Sequence, residues 1–325
     1  MYIERKRIAG KTYIYVKTSV RCKGRVRTRT LGYIGKEASS SEIHNVMQHL
    51  AKKEIRIQKE TKEQLEKEGK KIMLLHSDQI QKLHEVHTTF RKKLATLDEQ
   101  TKQEMFDDFI TVYIYNTNAI EGNTLTLRDT DLLLNKGITP AGKSLREVND
   151  HLNAKEVLNY ILKEKPPLTK ESIIQIHSLL MKKIDSRIGG FRTQNVRVIG
   201  ATFEASPVEY VAIDMKLLLQ WLSKNKGHLH PIVLAAIFHQ KFERIHPFFD
   251  GNGRTGRMLS NSILIHANFP PMIVPNAQRK RYYNALSSAD KTDLTTTSNE
   301  HHKIVEFFYF NMLKTFNTIF KKWGL

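Results

Sequence analysis

What most constrains this chain is the stretch that stands before its glycine-rich loop. Residues 231–267 read PIVLAAIFHQKFERIHPFFDGNGRTGRMLSNSILIHA. Gly251, Gly253 and Gly256 satisfy G-x-G-x-x-G, and the same residues nearly form a P-loop, with Arg257-Met258 in place of Lys-[Ser/Thr]. Both motifs need a buried strand ahead of the first glycine, and the dinucleotide form also needs an acidic residue about 20 positions further on. Pro231–Ile245 is too long, and too rich in Ala, Lys and Glu, to be that strand. The segment FPPMIVPNAQ downstream carries no acid. The glycines therefore join two helices, and both sheet-based phosphate sites are rejected.

Helical spacing extends almost throughout the chain from about residue 76. SDQIQKLHEVHTTFRKKLATL and DEQTKQEMFDDFITVYIYNTNAI each carry it. GKSLREVNDHLNAKEVLNYIL carries it again, until Lys165-Pro166-Pro167 ends the helix. Thr169 is placed to cap KESIIQIHSLLMKKI, and VAIDMKLLLQWLSKN and HHKIVEFFYFNMLKTFNTIFKKW complete the set. One segment breaks the pattern: GGFRTQNVRVIGATFEASP, 189–207, reads as a β-hairpin. Ahead of all this, TYIYVKTSV and VRTRTLGYI read as strands of a small antiparallel meander turning at Lys23-Gly24, followed by a long charged helix. The expected architecture is mainly α: a helical bundle with a β-hairpin flap, preceded by a small antiparallel β domain and a charged linker helix. Domain boundaries are expected at 1–38, 39–75 and 76–325.

Charge is unevenly spread. Of a formal net charge of +19, residues 1–36 supply eleven Lys/Arg against one acid, Glu4. Such a concentration attracts polyanions, so nucleic acid or another acidic partner is expected through residues 1–75. Cys22 is the only cysteine, which excludes a disulfide framework and a cysteine-based metal site. No apolar run approaches the roughly 18 residues of a membrane span, and MYIERKRIAG lacks the apolar core of a secretory leader. A cytoplasmic protein with no membrane partner is expected. No H-E-x-x-H occurs around His239, so no zinc site is expected.

The glycines keep a phosphate logic without a sheet. A compact loop opening a helix presents free backbone N–H groups, which bind phosphate oxygens with help from the helix dipole. Arg254 and Arg257, three apart, are expected to project from one helical face, and guanidinium forks suit phosphate. Asp250 is a hard oxygen ligand suited to Mg²⁺ (or Mn²⁺), the ion that accompanies nucleotide phosphates. His246 is the one side chain here suited to take a proton near neutral pH. Each feature alone is an ordinary turn or helix end, yet no turn requires His, Asp and two phased Arg together.

HPFFDGNGRTGR resembles the signature of the Fic (Fic/Doc) family at every position. TNAIEGNTLTL resembles that family's inhibitory motif, at Thr117 through Gly122, and GGFRTQNVRVIGATF its β-hairpin flap. FPPMIVPNAQRKRYYNALSSAD resembles the stretch that closes over the nucleotide base. The likeness covers roughly residues 105–315, with an inhibitory helix at about 104–122 and a catalytic core at about 139–315. It implies a Fic-type helical fold that transfers AMP from ATP to a Ser, Thr or Tyr hydroxyl of a target protein.

By the same resemblance His246 is the base, and Asp250 holds Mg²⁺. Gly251, Asn252, Gly253, Thr255 and Gly256 line the phosphate site, while Arg254 and Arg257 neutralise the leaving pyrophosphate. Flap residues Val198, Ile199, Gly200 and Ala201 pair with the target's backbone. Tyr282, Tyr283 and Asp290 fall in the adenine region. Glu121 pairs with Arg257 and inhibits. Phe248 is expected as a buried anchor. Many relatives carry a winged-helix segment after the core, and none is expected here before Leu325. Three other functions stay open: a nucleic-acid-binding regulator with a nucleotide-responsive core, a Fic enzyme with a different phosphate-containing donor, and removal of AMP. A homodimer also stays open.

Overall fold

A computed structural model describes residues 1–8, 11–22, 25–36, 39–68, 74–198 and 203–324. The chain separates into two compact units, residues 1–72 and 73–325.

The first unit is a three-stranded antiparallel sheet in the order β1 (Tyr2–Ile8), β2 (Lys11–Cys22), β3 (Arg25–Lys36), with one long helix, α1 (Ser40–Glu68). Ile14, Val16, Thr18, Val20 and Leu31 are buried from β2 and β3, alternating with outward residues as a pleated strand requires. α1 covers that face: Glu54 accepts from the Thr18 hydroxyl at 2.8 Å, and Lys53 donates to the Leu31 carbonyl at 2.6 Å. β1 is a strand beyond the two read from sequence, formed by pairing along β2 from Tyr2↔Lys17 to Ile8↔Lys11. The expected turn at Lys23-Gly24 lies outside the described residues.

In the second unit the described helices are α2 (Ser77–Leu94), α3 (Glu99–Ile120), α4 (Leu127–Lys136), α5 (Leu145–Glu164), α6 (Lys170–Met181), α7 (Val208–Asn225), α8 (Pro231–Ile245), α9 (Asn252–His266), α10 (Arg279–Ser287) and α11 (His302–Thr318). No helix among the described residues is long and apolar enough to cross a membrane. α8 and α9 form the centre. Ile232 through Phe242 are all buried, a helix apolar nearly all round, as an internal helix must be. α9 packs along it because Gly256 has no side chain: a Cβ there would come within 2.5 Å of Glu243 Oε1 and 2.7 Å of His239 Nδ1. α7 and α11 pack on α8, while α3, α5 and α6 pack on α9. Lys241, fully buried, donates at 2.8 Å to the carbonyls of both Asp293 and Thr296, which ties the α10–α11 connection to α8.

Two local expectations change. α4 was not read from the sequence; Thr126 and Asp129 form its capping box, and Gly137 ends it in the left-handed conformation. The segment 189–207 holds no strand among its described residues, and Ile199, Gly200 and Ala201 lie outside them. Its described β-branched residues, Thr193, Val196 and Val198, find no ladder partner, and the segment is instead pinned by Arg192.

Candidate active site

α8 ends on His246, whose φ of 51° turns the chain out of the helix. That turn leaves the His246 carbonyl pointing away from α8, and Arg192 Nε donates to it at 2.8 Å. The rest of Arg192 binds the carbonyls of Gln194, at 2.9 Å, and Ser206, while its own N–H donates to Pro247 O at 2.9 Å. One buried guanidinium thus fastens both ends of the flap segment to the histidine's loop. His246 Nδ1 lies 3.3 Å from the Glu243 carbonyl. A carbonyl only accepts, so Nδ1 carries the proton and Nε2 keeps its lone pair. Burial, with Arg192 nearby, lowers the His246 pKa, against the opposing pull of Glu121 and Asp250. The imidazole is therefore neutral at pH 7, the state a general base needs.

The loop after it is held rigidly. Asn252 clamps Phe248 by two bonds, accepting from its N–H at 2.9 Å and donating to its carbonyl at 2.8 Å. The Phe248 ring is buried against His177, with centroids 3.6 Å apart and planes within 3°. His177 Nε2 donates to the Asp250 carbonyl at 3.0 Å, and burial drives its pKa down to about 4. Gly251 then begins α9 at φ 75°, where a Cβ would also collide with Met181 Sδ at 2.6 Å. The first N–H groups of α9 have no helical acceptor of their own, so this turn can cradle an anion.

Each cation at the cradle already holds a carboxylate. Arg257 donates from Nε to Thr117 Oγ1 at 2.8 Å, and from one terminal nitrogen to the Thr117 carbonyl at 3.0 Å and Glu121 Oε1 at 2.6 Å. Its other terminal nitrogen faces the Tyr282 hydroxyl at 3.5 Å. The Thr117 carbonyl is available because α3 ends three residues later. Glu121 reaches further: a Cβ on Gly253 would collide with its carboxylate. The Glu121 carboxylate thus reaches the first turn of α9, with Gly253 leaving the space for it. Arg254 pairs instead with Asp150 of α5 and leans on Met181 Sδ at 3.4 Å. The two guanidiniums therefore turn to different neighbours, α5 and α6 for Arg254, α3 and α10 for Arg257. Three helical residues leave side chains about 60° apart, and a helix buried on every side offers each a separate partner.

The remaining expected residues divide. Thr255 is fully buried, and Gly256 faces α8, so neither lines the cradle. Tyr282 is also buried: its hydroxyl meets His239 Nε2 and its ring lies 5.9 Å beneath the Arg257 guanidinium, so it supports that arginine and offers no open face to a base. Tyr283 beside it is exposed. Asp290 stands past the end of α10, where its charge acts on Arg244. Val198 is half-buried in the flap segment. Asp250 accepts from its own loop's Gly251 N–H at 2.6 Å and from Arg146 at 2.5 Å.

Sequence reasoning missed Arg192, Asp150, Arg146 and Glu243. Glu243 lies half-buried under the cradle, its Oε1 buried without a hydrogen-bond partner and 3.8 Å from His239 Nδ1. Burial pushes its pKa up to about 8, against the pull of Arg257. Its position in HQKFERIH, three residues before His246, was the one available signal.

Fold and site together define a class: a helical domain with an anion cradle at a helix N-terminus, a neutral histidine beside it and a carboxylate inside it. Residues 167–264 match the family described as Fic/DOC, and the chain carries a domain of that family. It is 37% identical over 186 residues to the protein adenylyltransferase Fic of Drosophila ananassae, covering 56% of this chain and 37% of that one. The Drosophila virilis protein of the same name is 34% identical over 221 residues, 67% of this chain and 43% of that one. The chain therefore spans less than half the length of these relatives. Among solved structures, a Fic-domain-containing signaling protein from Bacteroides thetaiotaomicron superposes with a TM-score of 0.68 at 25% identity, covering 76% of this chain and 98% of that one. Fic-1 from C. elegans does so with a TM-score of 0.65 at 28% identity, covering 76% and 72%.

Proposed function

We propose that this chain is a protein adenylyltransferase, moving AMP from ATP to a Ser, Thr or Tyr hydroxyl of a target protein, and that it rests in an autoinhibited state. The observation that carries the reading is the Glu121 carboxylate on Arg257, inside the cradle that a triphosphate would need. The names of the relatives support the chemistry.

In this reading His246 Nε2 takes the proton of the target hydroxyl as its oxygen attacks the α-phosphorus. The bond to the bridging oxygen breaks, and pyrophosphate leaves. The first-turn N–H groups at Asn252 and Gly253 face the phosphates, and Arg254, braced by Asp150, adds fixed positive charge. Arg257 joins them once Glu121 withdraws. Catalysis is then mostly positioning and charge stabilisation. Asp250, 40% exposed, is one hard carboxylate, which suits Mg²⁺ (or Mn²⁺), an ion that prefers one or two protein oxygens with phosphate and water. Bound there, that ion would supply further positive charge at the phosphates. Among the described residues no group of three or more His, Cys, Asp or Glu is built to hold a metal alone. Arg146 must leave Asp250 for that role.

The flap, Val198 to Ala201, would present a strand edge to the target backbone, held at its base by Arg192. Tyr283 is the exposed ring for adenine. α3 is the inhibitory helix. A single cysteine agrees with a cytoplasmic location.

The test is transfer from ATP radiolabelled at either the α- or the γ-phosphate. Glu121→Gly should label itself or proteins of a cell extract from the α-position only. Adding His246→Ala should abolish that label. Label from the γ-position, or none with Glu121→Gly, would overturn the reading.

A further inference from the structure

The N-terminal sheet carries a feature that nucleotide transfer does not use. With α1 on one face, the other face of β1–β3 carries a set of tyrosines. Residues directly opposite in an antiparallel pair point the same way, so the pairs Tyr15↔Tyr33, Lys17↔Thr30, Ser19↔Thr28 and Arg21↔Val26 share this outer face. Tyr2, opposite Lys17, joins them from β1. The Tyr15 and Tyr33 rings have centroids 5.3 Å apart, and those of Tyr13 and Tyr33 are 6.3 Å apart. Tyr33 is 52% exposed and Tyr2 43%. Beyond the rings the face continues as hydroxyls, Ser19 bonded to Thr28 at 2.9 Å, and ends on the exposed Arg21.

Exposed aromatic rings on a sheet lose solvation free energy and invite a partner with flat faces. The partner's charge is set by this face: by register Lys6, Lys11, Lys17, Arg21 and Lys36 hold positions on it against Glu4 alone, whereas Arg5, Arg27 and Arg29 pair with Ile14, Val20 and Thr18 of the other face, and Glu4 is already paired with Lys17 at 2.7 Å. An acidic protein would satisfy the charge but leaves the clustered rings unexplained. Duplex DNA or RNA satisfies the charge too, yet its bases are stacked within the helix and offer no free face. A single strand supplies both, with phosphates for the cations and unstacked bases for the rings. We propose that this face binds single-stranded nucleic acid, with bases stacking on Tyr33, Tyr15 and Tyr2 and the phosphates running toward Arg21. This site stands apart from the proposed transfer of AMP and does not depend on it.

The test is fluorescence anisotropy of the full chain with a labelled ~20-nucleotide oligothymidylate and a hairpin duplex of matched length, across a salt titration. The single strand should bind more tightly at every salt. The double variant Tyr15→Ala/Tyr33→Ala should weaken binding by roughly ten-fold or more with the salt slope unchanged, while Tyr15→Phe/Tyr33→Phe should bind as the parent does. Arg21→Ala should lower the slope by about 0.7, one phosphate's worth for a single strand. The phenylalanine pair separates lost stacking from a damaged sheet. Equal affinity for the duplex, alanine variants that bind as the parent does, or displacement by polyglutamate as readily as by oligothymidylate would each overturn the proposal.

Discussion

Removing Glu121 should tighten ATP binding, and the geometry gives the size. Arg257 is 3% exposed and spends one terminal nitrogen on Glu121 Oε1 at 2.6 Å. A triphosphate reaching that guanidinium must first displace the carboxylate. A hydrogen bond between charged groups contributes about 1.5–3 kcal/mol, or roughly 10- to 150-fold in affinity. Glu121 is 35% exposed, so solvent screens the pair and the expected gain is near the lower end, about 10-fold. The assay is calorimetric titration of parent, Glu121→Gln and Glu121→Gly with a non-hydrolysable ATP analogue and with ADP. Glutamine keeps the shape and loses the charge, so it should fall between the other two. ADP lacks the γ-phosphate that would take Arg257, so its affinity should change much less. Equal tightening of both nucleotides, or no change in either, would refute the claim that the carboxylate competes for this guanidinium.

Two further outcomes concern the groups beneath the cradle. Glu243 has a folded-state pKa raised from 4.5 to about 8 by burial, so its protonated form favours the fold fully below about pH 4.5, and that contribution is lost as pH rises through about 8. Glu243→Gln should remove this loss, on the order of 4 kcal/mol, so its urea stability should overtake the parent's between pH 5 and 8 by an amount that grows with pH. A constant difference across that range would count against a buried neutral acid. Asp150→Ala leaves the Arg254 guanidinium, 4% exposed with Nε already unpartnered, only the more distant Asp250 carboxylate at 3.8 Å, and should cost about 3 kcal/mol in the same assay, with Asp150→Asn milder. Stability within about 0.5 kcal/mol of the parent would mean that Asp150 does not brace it.

The mainly helical class was legible because α8, α9 and their neighbours carry long, strongly periodic apolar patterns. What escaped depended on short or non-local signals. α4 is ten residues long, and its cues, Thr126 with Asp129 and Gly137, were present but unweighted. β1 is charge-rich and becomes a strand through β2. The 189–207 segment has strand-like composition but no ladder partner among its described residues. At the site, the order of His246, Asp250 and Arg257 could be read along the chain. The partners Asp150 and Arg146 lie 104 residues from Arg254 and Asp250, beyond any local pattern. Spacing also placed both arginines on one face, whereas close packing sent each to a different helix.

The most direct test of the autoinhibited-transferase account is a crystal structure of Glu121→Gly with a non-hydrolysable ATP analogue and Mg²⁺. The account predicts the γ-phosphate on Arg257, the other phosphates at the first turn of α9, and His246 Nε2 facing the α-phosphorus. A triphosphate lodged elsewhere, or one that leaves Arg257 without a phosphate contact, would contradict it.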